Sequence, residues 1–234
     1  MEMKQKLFMS KYKTLIIVTL IFILSVSMLG FTAKYLYMSQ YDHQIQTLQR
    51  SLMDLKAAMN VDTIRQYNIE KIMKIIDKQN KSLPSNLKYE IANEIYNMSV
   101  KYPNLSVDLI CAVISQETGN TWDPTATSKA GAMGLMQIMP VTGMYLASYE
   151  RITWTTPEDV LYNPINNIRL GCRYLSSLID MYGLEGGIAA YNGGEKRASE
   201  WLANNKAKGI LYKETEKYVP SVLKYSQLYQ KSSL

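Results

Sequence analysis

The 234-residue chain holds one histidine, His43, and two cysteines, Cys111 and Cys172. So small a stock of imidazole and thiol leaves no room for a His-bearing triad or a zinc site in the C-terminal part, unless His43 folds back onto it. Bond cleavage by this chain must then fall to carboxylates. No metal or cofactor is expected.

One carboxylate stands out by position. In Leu109-Ile110-Cys111-Ala112-Val113-Ile114-Ser115-Gln116-Glu117, residues 110, 113, 114 and 117 share one helical face, so Glu117 ends an apolar stripe. A carboxyl group placed there is partly desolvated and sits at the negative end of the helix dipole. Both effects raise its pKa toward that of a general acid. The plainer reading is a helix that ends one turn early and leaves Glu117 in water.

Downstream, Gly119-Asn120, Asp123-Pro124 and Ser128 to Gly131 are turn signals, and Gly134-Leu135-Met136-Gln137-Ile138-Met139-Pro140 follows. Gln137 is polar inside an apolar run. If buried it needs hydrogen-bond partners, either a sugar hydroxyl or N-acetyl group or simply a backbone carbonyl. Ala189-Ala190-Tyr191-Asn192-Gly193-Gly194 then puts an aromatic ring where a helix meets a turn. There it could meet a sugar face or a carboxylate, although by itself the segment is an ordinary helix end.

The elements that must position these residues read as helices. Ile64, Ile72, Ile75 and Ile76 form one stripe, and a Leu83-Pro84-Ser85 break precedes Lys88 to Lys101. Further helices are predicted over 106–116, 140–148, 164–181 (capped by Asn163, stopped by Gly183), 187–191, 195–203 and 215–230. No β-alternating run, internal repeat or low-complexity tract intervenes. Residues 61–234 are therefore expected to form one all-α domain. Cys111 and Cys172 lie in apolar helical segments and read as small core residues, with a disulfide as the alternative outside the cytoplasm.

The N-terminal part is different. Residues 14–33 are uncharged and as a helix span roughly 30 Å, the thickness of a bilayer core. The alternative, a cleaved signal peptide, has a shorter apolar region and small residues before the cut, where this chain has Phe31. No cysteine follows to carry a lipid. Lys4, Lys6, Lys11 and Lys13 place residues 1–13 in the cytoplasm, so the segment reads as an uncleaved single-pass anchor in the inner membrane, with the rest exported. The formal charge of +6 mostly reflects these flanking lysines, because residues 35–234 hold 21 basic against 19 acidic side chains. No nucleic-acid partner is implied. Over 34–60, Met38, Tyr41, Ile45, Leu48, Leu52, Leu55 and Met59 alternate gaps of three and four, a seam of three heptads. It reads as a helical stalk, either a dimeric coiled coil or a lone amphipathic helix.

Taken together, Glu117, Asp123-Pro124, Ser128, Gly131 to Pro140 and Ala190-Tyr191-Asn192-Gly193 resemble the soluble lytic transglycosylase (SLT) family in order and spacing. So do Asn163 to Gly171 with Tyr174-Leu175, and Glu214-Thr215 with Tyr218-Val219. Separated blocks in the right order are far more specific than any one of them. The likeness covers about residues 62–230. Departures are Thr118 where the family usually has serine, a Thr118–Trp122 stretch about two residues longer, and Gly193-Gly194 for alanine-glycine.

The resemblance implies a lysozyme-like (goose-type/SLT) helical domain that acts on the glycan strands of peptidoglycan. Carried over position by position, it implies that Glu117 is the catalytic acid and base, with Ser128 beside it and the muramyl N-acetyl group. Gln137 and Met139 would line the glycan cleft. Tyr191 would hydrogen-bond at the active carboxylate, and Glu214 would support the cleft from the last helix. The expected product is a 1,6-anhydromuramyl end. The rivals are a goose-type-lysozyme-like muramidase, with Asp123 placing a water, and a non-catalytic glycan-binding scaffold. A membrane-anchored form would act close to the membrane, in wall turnover, division or the service of an envelope or secretion assembly.

Overall fold

The computed structural model describes the backbone of residues 2–231 and the side chains of residues 13, 17–32, 34–38, 40, 41 and 44–231. The expectations for His43, Lys4, Lys6 and Lys11 concern side chains outside the described residues. Two compact units divide the chain, Met1–Asp62 and Thr63–Leu234.

The first unit is helical. It lies within α1, Glu2–Gln79. Its segment Ile17–Met38, 22 residues, is long and apolar enough to cross a membrane, and none of it is buried within the chain. The seven seam positions from Met38 to Met59 are all exposed.

The second unit takes the C-terminal end of α1 and seven more α-helices. These are α2 Ser85–Lys101, α3 Val107–Glu117, α4 Pro140–Ala147, α5 Pro157–Leu161, α6 Pro164–Gly193, α7 Glu195–Ala203 and α8 Lys213–Lys231, with a 3-10 turn at Ser148–Glu150. Among the described residues there are no strands, only isolated bridges from Met133 to Thr127 and Ile138. The unit is all-α, as its patterning predicts.

Local chemistry explains the boundaries. Ser106 accepts the amide of Leu109, Thr156 that of Asp159, and Asn163 those of Ile165 and Asn166, each satisfying donors that a first helical turn leaves open. Prolines follow the caps of α4, α5 and α6, where a missing amide costs nothing. Gly183, at φ 70°, interrupts α6 at the predicted stop, and the helix resumes beyond it. Helix α5 has five residues, too few for a periodic signal, and sequence reasoning passed over it.

Ile72, Ile75 and Ile76 enter the core, as does Ile69. Ile64 does not: it is 57% exposed, because it lies more than one turn before the point where α1 begins to bury side chains. Arg169 on α6 grips buried Glu94 on α2 through Nε at 2.7 Å. Glu150, whose side chain is buried, collects Lys101, Tyr102 and Arg173. Both cysteines are free and buried in the core, and burial pushes both thiols well above their ordinary pKa.

Candidate active site

Glu117 is the last residue of α3, and Ile110, Val113 and Ile114 beneath it are fully buried. The helix stops there because Gly119, after the C-cap Thr118, turns into the left-handed region at φ 56°; the Thr118 hydroxyl donates to the carbonyl of Ile114 at 2.8 Å. Tyr218, buried on α8, donates its hydroxyl to Glu117 Oε1 at 2.5 Å. Burial pushes the Glu117 carboxyl up to about 7; the Tyr218 hydrogen bond opposes this and the negative charge of Glu214 adds to it. The same burial, with the carboxylate beside it, raises the Tyr218 phenol well above its usual range, so it remains a donor. The result is a half-buried carboxyl that can hold or release a proton near neutrality.

The long stretch after Glu117 is ordered by its own polar groups. Gly119, Asn120 and Trp122 all adopt left-handed backbone angles. Trp122 is fully buried and donates its indole N–H to Ser115 Oγ at 3.0 Å, while Ser115 also meets the Tyr229 hydroxyl at 2.7 Å. Asn120 donates to the Tyr225 hydroxyl at 2.7 Å. Ser221 donates to Gln116 Oε1. Helix α8 therefore holds the end of α3 at four residues, 218, 221, 225 and 229, which recur every three or four positions.

Helix α6 organises the loop from Met133 to Met139. Fully buried Asn167 accepts the Met136 amide at 2.7 Å and donates to the carbonyls of Met133 and Leu161. A Cβ on Gly134 would lie 2.2 Å from the Asn167 side chain, and φ there is 79°, so only glycine fits. At the far end of α6, Tyr191 donates to the Met136 carbonyl at 2.8 Å. One helix thus holds both backbone groups of Met136.

The remaining expected residues fall as follows. Ser128 is half-buried in a tight turn and accepts the Ala132 amide at 3.0 Å, which leaves its hydroxyl proton to donate elsewhere. Gln137, at φ 47°, donates its amide nitrogen to the carbonyls of Ala126 and Gly134. Its partners are backbone carbonyls, met by the side-chain nitrogen alone. Met139 is exposed at the N-cap of α4. Glu214 is exposed in the first turn of α8, one turn before Tyr218, and acts on Glu117 through its charge.

Tyr191 departs from expectation. Its hydroxyl proton goes to Met136 rather than to Glu117, though it lies close enough for the Glu117 charge to raise its own pKa. The hydroxyl donor to Glu117 is Tyr218, which sequence reasoning placed in the family pattern without a role. A buried phenol must find a hydrogen-bond partner, and Tyr218 within the helix predicted over 215–230 offers no other signal. Asp123, the candidate for placing a water, uses Oδ1 to accept the amide and hydroxyl of Thr125. Among the described residues no cluster of His, Cys, Asp or Glu could hold a metal.

Known proteins share this arrangement of elements. The chain is 33% identical over 148 residues to a putative soluble lytic murein transglycosylase of Haemophilus influenzae, covering 59% of this chain and 24% of that protein. It is 31% identical over 141 residues to the membrane-bound lytic murein transglycosylase D of Escherichia coli, covering 57% of this chain and 30% of that one. Among solved structures, an inactive mutant of the lytic transglycosylase Slt from Pseudomonas aeruginosa superimposes with a TM-score of 0.52 at 28% identity, over 59% of this chain and 23% of that one. The chain spans less than a third of the length of each of these relatives. The family model for the transglycosylase SLT domain matches residues 94–213, which include Glu117, Ser128, Gln137, Met139 and Tyr191, and the chain belongs to that family.

Proposed function

We propose that this protein is a peptidoglycan lytic transglycosylase that cleaves the β-1,4 bond between N-acetylmuramic acid and N-acetylglucosamine. The observation that carries the reading is the half-buried carboxyl of Glu117, held by Tyr218 and pushed up to about 7. In the first step neutral Glu117 gives its proton to the bridging oxygen as the bond from that oxygen to the muramyl anomeric carbon breaks, and the substrate's N-acetyl group stabilises the cationic carbon. The muramyl 6-hydroxyl then attacks that carbon and yields its proton to ionised Glu117. A 1,6-anhydro ring forms, no water is consumed, and the acid is restored.

Ser128, with its hydroxyl proton free to donate, would hold the N-acetyl group beside Glu117. Gln137 and, through its exposed side chain, Met139 would line the glycan cleft. Tyr191 would act through Met136, fixing the loop that carries Gln137, and Glu214 would keep Glu117 protonated by its charge.

The segment Ile17–Met38 supports a single-pass anchor in the cytoplasmic membrane, with the N-terminus inside and the SLT domain outside. Residues 34–60 would form the stalk, pairing with a second copy through the exposed seam. The test is to digest peptidoglycan with the detergent-solubilised full chain and weigh the released muropeptides, with Glu117→Gln as control. Anhydromuramyl ends that vanish in the control are expected. Hydrated reducing ends would assign the domain to the muramidases instead.

A further inference from the structure

Helix α8 has a second working face. Around it, positions 214, 218 and 225 point to one side and positions 216, 220 and 223 to roughly the opposite side. On that second side lies a cavity of about 580 Å³ lined by Trp201, Leu211, Val219, Pro220 and Leu223, with charged groups at its edge. Its size suits a ligand of about three or four residues. None of the residues assigned to the glycan cleft lines it.

The charges around the cavity do not balance. Glu185 is paired with Lys206 at 2.7 Å, and Glu216 accepts the neutral Gly209 amide at 2.7 Å and keeps its charge, so with Lys208 and Lys217 the lining carries three cations against two anions. Lys208 and Lys217 also line the cavity, and none of the ion pairs among the described residues involves them. Pro220 lies inside α8 and has no amide proton, so the carbonyl of Glu216 loses its helical donor beside the same cavity. The cavity thus combines apolar walls with one net positive charge, two lysines outside any ion pair among the described residues, and a carbonyl without its helical amide donor.

We propose that this cavity binds a short acidic segment of a partner polypeptide. An apolar side chain of that segment would pack on Trp201 and Leu223, its carboxylates would meet Lys208 and Lys217, and a backbone amide would serve the Glu216 carbonyl. Charge complementarity favours this occupant over a neutral or basic one. Position favours a protein partner over the glycan strand, because the strand's cleft lies on the other side of α8.

The test uses the detergent-solubilised full chain labelled with fluorotryptophan, whose three tryptophans give separate fluorine resonances, that of Trp201 being assigned with Trp201→Phe. The probe is acetyl-Leu-Glu-Leu-Glu-amide, compared with its glutamine counterpart. The acidic peptide is expected to shift the Trp201 resonance saturably and the glutamine peptide to leave it in place. The paired substitution Lys208→Glu and Lys217→Glu should weaken binding by about tenfold or more with lytic activity unchanged. No shift, an equal shift with the glutamine peptide, or undiminished binding to the variant overturns the proposal. Stronger binding of stem peptides released from peptidoglycan also overturns it, by assigning the cavity to the wall.

Discussion

Tyr218 reaches Glu117 across 101 positions of sequence and gives it a hydroxyl hydrogen bond of 2.5 Å. The bond favours the ionised carboxylate, while the burial that makes it necessary favours the acid, and burial is the larger effect.

Glu117→Gln should lower muropeptide release by about 10²-fold or more, the usual range for a lost general acid. It should also stabilise the fold at alkaline pH. The raised pKa of Glu117 means that its share of stability is intact below the ordinary carboxyl range and is lost as pH rises through about 7. The variant should therefore exceed the parent by about 1–3 kcal/mol at pH 8 and differ little at pH 4, as read from urea unfolding at each pH. Equal stability at pH 8 would contradict a buried, proton-holding Glu117.

Tyr218→Phe removes the influence that holds the Glu117 pKa down, so that pKa should rise. The alkaline limb of the kcat/KM profile, set by the protonated Glu117 that the first step needs, moves to higher pH. A variant that loses rate while that limb stays in place would assign Tyr218 a packing role only.

Asn167→Ala should cost on the order of 3 kcal/mol or more, because it strands the Met136 amide and two buried carbonyls. Gly134→Ala attacks the same contact from the other side. Since both act on one loop, the double variant should cost less than the two losses added, and strict additivity in chemical denaturation would refute the shared contact.

A cysteine placed by Leu48→Cys should crosslink two chains under mild oxidation if the stalk pairs. Leu48 is 70% exposed, and the native thiols are buried, which leaves the new one as the reactive group among the described residues. Absence of the crosslinked species on a non-reducing gel would favour a lone amphipathic helix.

The parts of this architecture legible in sequence are those with local causes. Asn163 before Pro164 marks the start of α6, Gly183 marks its interruption, and Ile110, Val113 and Ile114 lead along one face to Glu117. The parts that escaped are long-range or aperiodic. Nothing near Tyr218 says that its hydroxyl meets Glu117, because in the helix predicted over 215–230 it reads as one more aromatic. Tyr191 could be placed at a helix end, but not its choice of the Met136 carbonyl. The left-handed turns at Asn120 and Trp122 are unusual for those residues and are held by Tyr225 and Ser115, contacts that no local pattern encodes.

The grip of α8 on the end of α3 also has a consequence for timing. A ribosome delivers Glu117 about a hundred residues before Tyr218, so an emerging chain carries its acid without the phenol and the helix that enclose it. Until Ser221, Tyr225 and Tyr229 have followed, that carboxyl would stand in water as an ordinary glutamate. On the proposed function, the raised pKa of Glu117, and with it the acid step, would come only when α8 has been made and has folded against α3.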